Sequence, residues 1–309
     1  MKETVTVIGA STSVGKRLAA ELLKEQNLSV NLCFDKYSDA VCHAGNPAAR
    51  CFVGNLAQTR NELKVLQVTS TGDNRLVNLD TVLQSSELIV ISEYTSCFPS
   101  LDWVLGKSPQ DVNVKMVRNV VNGCGSRLRK LVFLSALGAK RKLSKLPKLD
   151  ANILFWVLNF FGALDAIRQG EEIVCEAGRD LSIQTSIIRA KFHCYLKGPF
   201  GGMNEEMFDE MEYQSLELLP GDIADGETSD LAAALTLKQA LVDDCFDNKD
   251  VAVVNSPGSS PLSPEVNGML LGVCDVTIGM EHENSVFAHE REATSTHGRE
   301  DSNMIGTRV

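Results

Sequence analysis

Apolar positions in the first 190 residues alternate between two rhythms. Short apolar runs at 5–10, 28–34, 50–55, 87–92, 130–139 and 183–190 predict six strands. Between them, 14–26 and 108–124 carry apolar residues at helical spacing, and a long helix is expected over about 152–177. Strands alternating with helices imply a mostly parallel sheet covered on both faces, and right-handed crossovers make it doubly wound. After 190 the rhythm breaks. Residues 198–228 are rich in Gly, Glu and Asp and read as a loop or lid. Residues 229–243 read as a helix, 251–255 as a short strand and 261–273 as a further helix. From 277 to 309 the chain is polar without periodicity, as expected of a flexible or partner-ordered tail. The expected organisation is a core at 1–195, a smaller C-terminal α/β lobe and lid at 196–276 integrated with that core, and the tail at 277–309.

Charge sharpens this division. The net charge is −10, but residues 201–309 hold 22 acidic and 5 basic residues, whereas residues 1–200 are net +7. This asymmetry argues against a nucleic-acid binder. One basic cluster is expected, built from 127–130 and 140–148, and the second part follows a strand's C-terminal end. The most apolar segment, 151–164, is too short to span a bilayer. A basic loop before an apolar helix suits a protein partner or a peripheral membrane contact. Nine scattered cysteines without a Cys-x-x-Cys predict reduced, mostly buried thiols in an intracellular, reducing compartment. His282, His289 and His297 are spaced for no metal motif, so no metal site is expected. A strand pattern begins almost at Met1, which predicts the cytoplasm, or the chloroplast stroma if a presequence was trimmed.

The candidate chemistry begins at the turn between the first strand and the first helix. Gly9 and Gly15 are six apart in VIGASTSVGK. That spacing suits a tight turn and close helix–strand packing, with the backbone N–H groups of Ser11, Thr12, Ser13, Val14 and Gly15 facing a pyrophosphate. Thr12 occupies the place of the usual middle glycine. Its hydroxyl and those of Ser11 and Ser13 would either donate to a phosphate or fill its space. Asp35 ends the second strand, where a carboxylate accepts from ribose hydroxyls and repels a 2′-phosphate. This favours NAD, while the neighbouring Lys36 keeps NADP open.

With these and six further segments, the chain resembles the atypical short-chain dehydrogenase/reductases, the NmrA-like and plant or algal NAD(P)-binding Rossmann proteins. The segments are VGNLAQ, PQDVNVKMVRNVVNG, LVFLSALGAKR, FFGALDAIRQGEEIV, LSIQTSIIRA and GDIADGETSDLAAAL, in family order over about 4–255. The resemblance implies that Asn55 and Leu56 face the adenine and that Ser92, Glu93 and Tyr94 approach the nicotinamide ribose. It implies that Asn113 matches the helix asparagine, that Ser135 lies in the strand-end serine motif and that Arg189 and Ala190 match a turn after the sixth strand.

Carbonyl reduction in such proteins uses a tyrosine acid and a lysine four residues later. The four tyrosines, at 37, 94, 195 and 213, are followed four residues on by Val41, Phe98, Pro199 and Glu217, so no such pair exists. The matching positions are Ala163 and Ile167, and the usual serine pair reads Ser135–Ala136. No catalytic residue is assigned; Tyr94, Ser135, His193 and Tyr195 are the weak candidates. The resemblance implies a non-catalytic subunit, an assembly factor or a redox sensor, of a photosynthetic or respiratory complex. An active NAD(P)H-dependent reductase or isomerase with a non-standard acid, and a scaffold that binds no nucleotide, are the alternatives.

Overall fold

The computed structural model describes residues 2–58, 63–94, 103–140, 161–191, 215–224 and 226–256. Its strands are β1 (Glu3–Ile8), β2 (Leu28–Phe34), β3 (Ala49–Val53), β4 (Lys64–Val68), β5 (Arg75–Asn78), β6 (Leu88–Ile91), β7 (Lys130–Ala136), β8 (Gln184–Ala190), β9 (Ser215–Pro220) and β10 (Lys249–Ser256). They form one sheet in the order β5-β4-β3-β2-β1-β6-β7-β8-β10-β9. From β3 to β10 every ladder is parallel, while β4, β5 and β9 join antiparallel at the edges. The order reverses between β1 and β6, and a ligand crevice forms at such a switch point.

Both faces are covered, which is why β6 and most of β7 read as continuous apolar runs rather than alternating ones. On one face pack α1 (Ser13–Leu22) and α6 (Asp230–Val242); on the other pack α3 (Leu79–Gln84), α4 (Val117–Gly123) and α5 (Ala163–Leu181). In α1 the spacing of Val14, Leu18, Ala19 and Leu22 buries one stripe, and each leucine so buried contributes about 1.5–3 kcal/mol. The short α2 (Tyr37–Val41) follows β2.

Several boundaries differ from the sequence reading. The hairpin β4–β5 was not expected: its strands are short, and the turn residues Thr69–Asn74 between them hide the alternation. β9 lies inside the expected loop 198–228, because Leu216 and Leu218 alternate with Glu217 within an acidic stretch. The expected helix 108–124 begins with a π-helical turn, Asp111–Met116, before α4. The fifth strand stops at Ala136 rather than 139, since the Asp222 carboxylate accepts the N–H groups of Gly138 (2.8 Å) and Lys140 (2.9 Å) and turns the chain away. The long helix expected at 152–177 is α5, which starts at Ala163 after the left-handed Gly162 (φ +72°) and runs on to Leu181. Residues 151–160, the helix at 261–273 and the tail at 277–309 lie outside the described residues.

The basic residues do not form one cluster. Arg127, Arg129 and Lys130 sit at the N-terminal end of β7, and Lys140 lies beyond its other end. Each is already paired: Arg127 with Glu87 (3.2 Å), Arg129 with Glu3, and Lys130 with Asp247. Residues 141–148 lie outside the described residues. Of the described cysteines, Cys33 and Cys51 are buried, Cys124, Cys175 and Cys245 are half-buried, and Cys42 is exposed. Burial pushes the thiols of Cys33 and Cys124 up to about 12, so they are inert at neutral pH. No described helix is long and apolar enough to cross a membrane.

Candidate functional site

The turn after β1 is held by close backbone approach. Gly9 has φ +90°, and a Cβ there would lie 2.4 Å from the Glu93 nitrogen; a Cβ on Gly15 would lie 2.0 Å from the Gly9 oxygen. Only glycine fits either place. Thr12 caps α1. Its hydroxyl accepts the Gly15 N–H (2.9 Å) and donates to the carbonyls of Gly9 (2.8 Å) and Ser92 (3.1 Å). The hydroxyl therefore bonds within the turn and is not presented as a phosphate donor. It takes one of the N–H groups that a helix start leaves unpaired, and those of Ser13 and Val14 remain for an anion. The Val14 side chain belongs to the core. The Ser13 hydroxyl meets the Tyr94 hydroxyl at 2.8 Å, and the Ser11 hydroxyl accepts the Asp35 N–H at 3.0 Å.

Beside this turn, over the ends of β2 and β3, opens a cleft. It is lined by Gly9, Asp35, Asn55, Leu56, Glu93 and Lys107, with Cys33, Phe34, Val112 and Met116 among its apolar walls. The Asn55 side-chain Oδ1 accepts the Ala57 N–H (3.1 Å) and fixes the loop that carries Leu56. Asp35 forms an ion pair with Lys107 through Oδ2. Its Oδ1 is buried and has no partner at hydrogen-bonding geometry among the described residues. Burial alone would raise the Asp35 carboxyl, but Lys107, then Ser11 and Lys36, outweigh it and hold the group below its ordinary value. Glu93 moves the other way. Desolvation pushes it up to about 7; Lys107 opposes the rise and Asp35 adds to it. Lys36 is exposed and opens α2.

The other candidates do not converge on this cleft. Ser92 is buried, and its hydroxyl donates to the Ile8 carbonyl (3.0 Å). Asn113 is buried inside the π-helical turn, where its backbone abuts Gly170 of α5. Ser135 faces α5 and donates to Glu171. Glu171 grips Arg189 through two bonds (2.9 and 2.8 Å), and Arg189 also pairs with Asp250, which Lys140 reaches at 2.9 Å. Arg189 has no exposed surface. Ser135 is thereby tied to an internal charge network and is not placed as a cofactor or catalytic group, contrary to expectation. Ala136, with Ala163 and Ile167 from the first turns of α5, is a buried member of one apolar cluster, the three having exposures of 0%, 1% and 8%. His193 and Tyr195 lie outside the described residues. No group of three potential metal ligands occurs among the described residues.

Lys107 was missed by the sequence reading, which saw no element between the fourth strand and residue 108. It ends the short π-helical segment Trp103–Lys107, and only the tertiary fold brings it to Asp35.

No protein-family model matches the chain, and no curated protein matches it. Solved structures do. The oxidoreductase ylbE of Lactococcus lactis is 11% identical, with a TM-score of 0.58 over 90% of this chain and 100% of its own. A putative NAD-dependent epimerase/dehydratase of Bacillus halodurans is 13% identical (TM-score 0.55, 83% of this chain and 96% of its own). A short-chain dehydrogenase/reductase of Veillonella parvula in complex with NADP is 14% identical (TM-score 0.52, 84% and 97%). The chain has the Rossmann fold. In Rossmann proteins the first turn and the end of the second strand flank the bound dinucleotide, and the glycine cradle and Asp35 occupy those places here.

Proposed function

We propose that this Rossmann protein binds a nicotinamide adenine dinucleotide and works without the tyrosine–lysine pair, as a non-catalytic subunit, an assembly factor or a redox sensor. The observation that carries the first part is the buried, unpartnered Oδ1 of Asp35 at a cleft beside the Gly9–Gly15 cradle. A buried carboxylate oxygen without a donor is costly, and a ribose hydroxyl supplies the missing proton. The first-turn amides of α1 would hold the diphosphate, and Leu56, Val112 and Met116 offer apolar surface to the base.

The second part rests on what faces the far end of the crevice. A bound nicotinamide supplies hydride; the protein must supply the proton. Ala136, Ala163 and Ile167 stand at the positions of the family's serine, tyrosine and lysine, and none can give or hold one. Tyr94, the described tyrosine nearest the turn, packs against this apolar cluster, but its hydroxyl is bonded to Ser13 at the α1 terminus. A role in a larger assembly is consistent with the aromatic pair Trp103 and Phe161, whose rings meet edge-on at 6.2 Å with Phe161 42% exposed.

Calorimetric titration tests the binding. Wild-type protein binds NADH or NADPH at micromolar concentration, and Asp35→Ala weakens NADH by about tenfold, the loss of a charge-assisted hydrogen bond. Binding that is indifferent to Asp35 places the ligand elsewhere. For the assembly role, elution from native extract at monomer or homodimer mass counts against it.

A further inference from the structure

A carboxylate at the end of the second strand, acting alone, excludes a 2′-phosphate by charge. Asp35 does not act alone. Lys107 arrives from the far side of the crevice, 72 residues along the chain, and pairs with its Oδ2. The approach is built into the backbone. Gly106 has φ +83°, a conformation that side chains resist, and a Cβ there would press on the Asn55 amide nitrogen at 3.4 Å. The left-handed step turns the chain so that Lys107 faces back across the cleft, and Ser108, bonded to Asp111 (2.6 Å), fixes the entry to the next helical turn. A second ammonium, Lys36, is exposed and also favours the charged Asp35 carboxylate.

We infer that Lys107 converts Asp35 from a charge filter into a neutral pair, so that the cleft accepts adenosine ribose with or without a 2′-phosphate. This rests on the dinucleotide-binding reading. Oδ1 of Asp35, which has no donor, takes a ribose hydroxyl; Lys107 and Lys36 take a phosphate. One oxygen of the carboxylate is thus engaged by the protein and the other is left for the ligand. Lys107 is a specificity-determining residue, and removing it restores the filter.

The test is calorimetric titration with NADH, NADPH, adenosine 5′-monophosphate and adenosine 2′,5′-bisphosphate. Thermal unfolding of each variant confirms that it is folded. Wild-type affinities for NADH and NADPH fall within about fivefold of each other, a difference of about 1 kcal/mol. Lys107→Met weakens NADPH and the bisphosphate by about tenfold or more and leaves NADH and the monophosphate within about threefold, as expected when one charge facing a phosphate is removed. Lys107→Arg, which keeps the charge, keeps NADPH binding. A wild-type protein that binds NADH and rejects NADPH overturns the inference, and so does Lys107→Met weakening both dinucleotides equally, since Lys107 would then only hold the cleft open. If none of the four ligands binds, the dinucleotide-binding reading itself falls.

Discussion

Above β1, β2 and β3 the strand ends leave polar groups facing a cleft; above β7, β8 and β10, among the described residues, they do not. On the first side Asp35 keeps one oxygen without a donor, Glu93 and Lys107 line the same space, and the first amides of α1 point outward. On the second side Ser135, Glu171, Arg189, Asp250 and Lys140 satisfy one another, and the remaining positions are alanine and isoleucine. Unmet hydrogen-bonding capacity beside a cavity marks a place kept for a ligand, because burial without a partner otherwise costs stability. A closed network leaves no such capacity. Among the described residues the two sides of the crevice differ in this sense.

The largest expected effect is on the scaffold side. Arg189→Met leaves Glu171 and Asp250 buried without their cation and lowers stability by about 3–5 kcal/mol, read from denaturant unfolding. If the loss is under about 1 kcal/mol, the carboxylates are hydrated and the network is not closed. Next, Ile167→Lys, which restores the residue type that related enzymes carry there, costs about 2–4 kcal/mol because it forces an amine into an apolar cluster. A variant as stable as wild type would mean that the patch is an open substrate site. On the cleft side, Thr12→Val removes the cap and leaves the Gly15 N–H unpaired, for about 1 kcal/mol.

A further effect is read as a slope with pH. The folded-state value of Glu93, about 7, lies above its ordinary 4.5. The unfolded chain therefore ionises this group first, and the native state loses stability as pH rises from about 4.5 to about 7, with no further loss above. Glu93→Gln flattens that part of the pH–stability curve. Asp35 has the opposite sign: its depressed value adds stability above its ordinary 3.8, which is lost as pH falls below that. Persistence of the Glu93 slope in the Gln variant would assign it to another group.

Much of the cleft was legible from local pattern. Gly9, Thr12 and Gly15 lie on a strand–turn–helix segment whose geometry follows from residue spacing, and Asp35 follows a strand that ends in the apolar run Leu32–Phe34. The central strands were legible for the same reason, since burial on both faces leaves continuous apolar runs. What escaped depends on contacts far apart in sequence. Lys107 meets Asp35 only because the sheet order puts the chain after β6 next to the end of β2. Ser135 and Arg189 were marked as strand-end positions, but their partners Glu171 and Asp250 come from α5 and β10, and no spacing along the chain announces that pairing. β9 escaped because an edge strand needs only two inward leucines, Leu216 and Leu218, to hold it.

The proposal that the cleft holds a dinucleotide without turning over a carbonyl substrate has a direct test. The most direct measurement is titration of the purified protein with NADH and NADPH, followed through the fluorescence of the reduced nicotinamide, with absorbance monitored over hours in the presence of a panel of carbonyl compounds. The account predicts saturable binding that Asp35→Ala weakens, and no carbonyl-dependent loss of the reduced cofactor. Absence of binding, or turnover by the wild-type protein, would contradict it.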